Sequence, residues 1–84
     1  MKLPATATLE QASALLQEMG ADVELVDALA LTHLDTSAVA VLLEANRRAR
    51  ARGARCVVRG APPKLRQLAQ LYGVEELLSF EETT

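Results

Sequence analysis

Apolar residues in this chain recur at two different spacings, and the switches between them mark out its elements. The run Leu3-Pro4-Ala5-Thr6-Ala7 is extended in character, with Pro4 confining it to a sheet edge or to the start of a strand. Ala12, Leu15, Leu16 and Met19 then recur at helical spacing. Thr8 and Gln11 stand at capping-box spacing and Gly20 is a natural stop, so a helix is predicted over residues 9–19. Val23, Leu25 and Val26 are β-prone, and residues 28–31 continue the hydrophobicity into a loop that holds His33. Asp35-Thr36-Ser37 breaks this run and opens a second helix over residues 36–51. Its inner face carries Val39, Leu42, Leu43, Asn46 and Ala49, and Gly53 closes it.

The next segment, residues 55–59, has a nearly unbroken apolar centre, the pattern of a parallel strand covered on both faces. Gly60-Ala61-Pro62-Pro63 predicts a turn whose second proline takes the first helical position. Leu65, Leu68, Ala69 and Tyr72 give a third helix, ended by Gly73. A helical turn over residues 74–78 follows, then Ser79-Phe80 as a last strand or cover, and a frayed tail over residues 81–84. Strands and helices alternate, which predicts an α/β fold: a small, mostly parallel sheet of three to four strands with three main helices. No linker or repeat divides the 84 residues, so a single domain over 1–84 is expected.

Composition narrows the function. Tyr72 and Phe80 are the only aromatics and Trp is absent, so bases have no stacking platform. The net charge of −2 is uneven: residues 44–72 set eight bases against Glu44, between acidic segments on either side. Arg47, Arg48, Arg50 and Arg52 spread around most of a helix and form no coherent stripe, and no nucleic-acid partner is expected. Cations in those last turns complement the helix dipole. No run reaches the ~18 apolar residues of a membrane span, and no signal pattern opens the chain. Cys56 lies in the apolar run Cys56-Val57-Val58 and reads as a buried structural thiol. A reducing, cytoplasmic setting without membrane insertion follows as the expectation.

Catalytic chemistry finds little material. The four glycines stand singly at element boundaries, which leaves no phosphate loop. One His and one Cys make no metal cluster of usual spacing, so neither metal nor cofactor is expected. His33, Asp35 and Ser37 lie too close in sequence to act as base, orienter and nucleophile. No convergent polar pocket is visible, and the chain is read as a non-enzyme. Attention falls on Asp35, Thr36 and Ser37, where unpaired backbone N–H groups and the helix dipole favour a cap, a contact surface or a phosphoryl group.

The stretch Leu34-Asp35-Thr36-Ser37-Ala38-Val39-Ala40-Val41-Leu42-Leu43 resembles the signature of STAS domains, in which a strand ends in Asp-Ser/Thr-Ser/Gly-Gly and a helix begins. Residues 55–60 match that family's next strand. Leu65, Leu68, Ala69, Leu71, Tyr72 and Gly73 look like its penultimate helix and turn, and the similarity spans residues 22–80. Two branches are similar. In anti-sigma factor antagonists the phosphorylated serine matches Ser37, though Ala38 stands where that branch has Gly. In the STAS subunit of Mla phospholipid ABC transporters a Thr matches Thr36, and Leu68-Ala69-Gln70-Leu71-Tyr72 is close to that branch, although Ser37-Ala38 replaces its Gly-Gly. The second branch is favoured.

That resemblance implies a module peripheral to the inner membrane that binds the cytoplasmic ATPase of the transporter and supports outer-membrane lipid asymmetry. Asp35, Thr36, Ser37 and Ala40 would form the contact, Glu44, Arg47 and Arg48 its polar rim, and Ser37 or Thr36 would be the modification site of the other branch. The usual first strand is lacking, which implies an exposed edge open to a homodimer.

Overall fold

The computed structural model describes residues 1–81. Its elements are β1 (Thr6–Ala7), α1 (Leu9–Glu18), β2 (Leu25–Asp27), β3 (His33–Leu34), α2 (Thr36–Ala51), β4 (Val57–Arg59), α3 (Pro63–Leu71), a 3-10 turn (Glu75–Leu77) and β5 (Ser79–Glu81). Every pairing between these strands is parallel: β1 with β3, and β2 with β4 with β5. The α/β reading therefore holds, and Ser79-Phe80 is a strand. Glu81, expected to fray, is instead the last residue of β5, in register with Arg59; residues 82–84, the rest of that expectation, lie outside the described residues.

Strand order β2-β4-β5 advances in one direction across the sheet. Right-handed crossovers then place successive helices on the same side. Burial agrees. Val26, Cys56 and Val58 are buried, whereas Leu25 and Val57 are half-buried and Arg59 is exposed. The expectation that β4 is covered on both faces is thus corrected: helices cover one face, and the short apolar run hid an alternation of period two. Leu3, Val26, Val41, Leu42, Val58 and Leu65 are the largest fully buried side chains, and they join sheet to helices.

The extended run over residues 23–31 shrinks to three strand residues. The chain turns after Asp27, with Ala28 N–H donating to Arg59 O (2.7 Å) and Leu31 N–H to Ala28 O (3.1 Å). His33 and Leu34 then leave β2 altogether and pair with Thr6 and Ala7. The outer edge of β2, expected to be bare, is partly occupied. Lys2 forms a parallel bridge with Asp27, Asp27 N–H donates to Met1 O (2.8 Å), and Leu3 N–H donates to Asp27 O (2.8 Å).

Helix ends follow their sequence signals, with one exception. Gly53 (φ 74°) and Gly73 (φ 70°) adopt the left-handed conformation that closes α2 and α3. At Gly20 the backbone does not; α1 stops because Met19 is already extended, with ψ 124°.

Candidate functional site

The pair β1–β3 determines where the candidate site lies. Ala7 stands opposite Leu34, so the residues that follow them, the start of α1 and the start of α2, emerge side by side. Asp35 serves both. Its Oδ1 accepts a hydrogen bond from Ser37 N–H at 2.8 Å, and its Oδ2 accepts one from Leu9 N–H at 3.2 Å. One carboxylate thereby satisfies orphan donors of two helices and sits at the positive end of both. The bond from Ser37 N–H, chiefly, holds the Asp35 carboxyl below its usual range; Leu9 N–H, the Ser37 hydroxyl and the nearby Lys64 act in the same direction, against partial desolvation. Thr8 and Gln11 complete the α1 terminus, with Gln11 Oε1 accepting from Thr8 N–H (3.0 Å) and from the Thr8 hydroxyl (2.7 Å).

With the turn held in this way, Thr36 and Ala40 are exposed and Ser37 is half-buried. The Thr36 hydroxyl makes no hydrogen bond among the described residues. Thr36 and Ala40 lie one turn apart on α2 and form one wall of a shallow groove with Val39 and Leu43; Tyr72 and Val74, beyond the end of α3, form the other. Tyr72 is 57% exposed and the adjacent Leu71 is 75% exposed. These apolar neighbours were not singled out for the site in the sequence, because only the docking of α3 beside α2 brings residues 72 and 74 to residues 36–43.

The predicted polar rim divides in two. Glu44 is held by both arginines: Arg47 Nε and Nη2 donate to its Oε1 and Oε2 (2.6 and 2.7 Å), and Arg48 Nε donates to Oε2 (2.7 Å). Those hydrogen bonds, Arg47 first, bring the Glu44 carboxyl down to about 2, and they raise the Arg47 guanidinium. Arg47 remains mostly exposed beside the groove-bearing face, with 68% of its side chain accessible. Arg48 turns the other way, toward α1. Its Nη1 donates to Met19 O and its Nη2 to Leu16 O (3.3 Å). The structure thus brings Thr36, Ser37 and Ala40 together, places Asp35 beneath them, and commits Arg48 to the end of α1.

A surface of this kind is suited to contact. A solvent-open hydroxyl and a methyl-sized side chain allow close approach, and the apolar groove beside them supplies area to bury.

A small parallel sheet, helices on one face and a hydroxyl-bearing helix start behind a strand-ending Asp together define a STAS-type domain. The chain belongs to that family, its residues 2–79 matching the family model described as "Mlab, STAS domain". A search of curated proteins returns no match. No helix among the described residues is long and apolar enough to cross a membrane.

Proposed function

We propose that this chain is a non-enzymatic accessory subunit that docks on the cytoplasmic ATPase of an Mla-type phospholipid ABC transporter. In that role it supports assembly and activity of a complex that maintains outer-membrane lipid asymmetry, and it reaches the inner membrane only through its partner. One observation carries the reading: Thr36 and Ala40 stand open to solvent at the start of α2 and run directly into an apolar groove completed by Tyr72 and Val74. The Asp35 cap presents this surface in one conformation, and preorganisation lowers the cost of binding.

The test is pull-down and calorimetry with the ATPase subunit. Thr36→Arg and Thr36→Glu each place a long charged side chain in the contact and are expected to weaken binding at least about tenfold, equivalent to about 1.4 kcal/mol. Ser13→Arg, on an exposed position of α1, is expected to leave it unchanged. Undiminished binding by both Thr36 variants removes the surface from consideration.

The phosphorylation-controlled antagonist reading rests on Ser37, the second residue of α2. Its surroundings count against modification. Ser37 N–H is bonded to the Asp35 carboxylate, so a phosphoryl group carrying about −1.5 to −2 charges on the same residue would sit near a like charge. Intact mass after incubation with a cognate anti-sigma kinase and ATP separates the two. Stoichiometric phosphate on Ser37 supports the antagonist.

A further inference from the structure

The opposite half of α2 walls a second cavity, of about 190 Å³, that the docking reading does not use. Asn46 and Arg50 reach it from α2, Arg55 from the segment entering β4, Glu76 from the 3-10 turn and Ser79 from β5. Two independent features single it out. First, Asn46 is a buried polar residue, 9% exposed, on an otherwise apolar helix face. Its carboxamide makes no hydrogen bond to any described residue, and it lines this cavity. Its amide atoms keep contact with solvent, so their donor and acceptor are open to a molecule in the cavity.

Second, the arginines are unevenly used. Arg47 and Arg48 pair with Glu44, Arg52 with Glu24 and Arg59 with Glu81, while Arg66 lies over the Phe80 ring at 5.1 Å. The guanidinium groups of Arg50 and Arg55 make no ion pair or hydrogen bond among the described residues, and both residues line the same cavity. Glu76 also lines it, yet its carboxylate is not within ion-pair distance of either guanidinium among the described residues.

We propose that this cavity binds a small phosphate monoester. Two guanidinium forks, the Asn46 amide and the Ser79 hydroxyl offer more donors than the two oxygens of a carboxylate can use. A tetrahedral phosphoryl group presents three acceptor oxygens to them. The cavity has room for roughly six water volumes, enough for that group and a short carbon chain. Glu76 disfavours a bare dianion and accepts a hydrogen bond from a hydroxyl on the ester portion. Binding is non-covalent, and it draws on neither Thr36 nor the groove beside Tyr72.

The experiment is a titration of the full chain followed by proton–nitrogen correlation spectra at constant ionic strength. The probes are inorganic phosphate, glycerol 3-phosphate and acetate. Saturable shifts are expected at the Asn46 side-chain amide and at the backbone amides of Arg55 and Ser79. Glycerol 3-phosphate should bind at least threefold tighter than inorganic phosphate, and acetate weaker than either. Arg50→Gln combined with Arg55→Gln, both at exposed positions, should weaken glycerol 3-phosphate binding at least tenfold while leaving the spectrum dispersed. Non-saturating shifts, equal affinity in the double variant, or acetate binding as tightly as phosphate each overturn the assignment. Equal affinity for the two phosphates overturns the ester in favour of free phosphate.

Discussion

Gly60 ends β4 with φ at +69°, a conformation that costs any residue bearing a Cβ. Space is closed as well: a Cβ built there would lie 3.2 Å from Leu29 Cα and overlap the Leu29 side chain. Gly60→Ala is therefore expected to destabilise by about 2 kcal/mol or more, read as a fall in the urea midpoint at unchanged slope. An unchanged midpoint shows that the 28–31 turn yields freely. At this scale the sequence was legible where a residue's own chemistry decides its place. Cys56, set in an apolar run, is 3% exposed, and burial pushes its thiol up. Arg48 was not legible, because the carbonyl of Met19 that it reaches is 29 residues away.

Among the elements, α2 was readable from its ends: Asp35 before it and Gly53 after it bracket residues 36–51, the span observed. Strands were less so. Hydrophobicity over residues 23–31 carries no mark at the point where the chain exchanges β4 for β1 as its partner, and that exchange cuts the strand to three residues. Candidate residues at the start of α2 were visible through capping chemistry, but the far wall of their groove and the polar cavity depend on how α3 and β5 dock. A prediction belongs here. Asp35→Ala removes the acceptor of both Ser37 N–H and Leu9 N–H, so amide exchange is expected to accelerate at the starts of α1 and α2 together, with a lower Tm. Acceleration confined to α2 would deny that one carboxylate serves both.

Over the whole molecule, carboxylates paired in the folded state govern the response to acid. Glu44 is carried from its ordinary 4.5 to about 2 by Arg47 and Arg48, and Asp35 is lowered in the same direction. A depressed folded value means stability that is fully present above about pH 4.5 and lost as pH falls toward 2. Thermal melts from pH 7 to 3 should therefore show Tm falling below about pH 4.5, and Glu44→Gln should make that fall shallower. A variant curve parallel to that of the parent would dismiss the Glu44 contribution. The same pair of arginines bears on how the chain is made. Helix α1 has ten residues, too few to persist alone in water, and no basic residue in its own last turn. Its two poles are completed from elsewhere, the positive one by Asp35 and the negative one by Arg48. A chain cut short before residue 48 therefore lacks the group that completes the negative pole of α1, so the two helices are finished together.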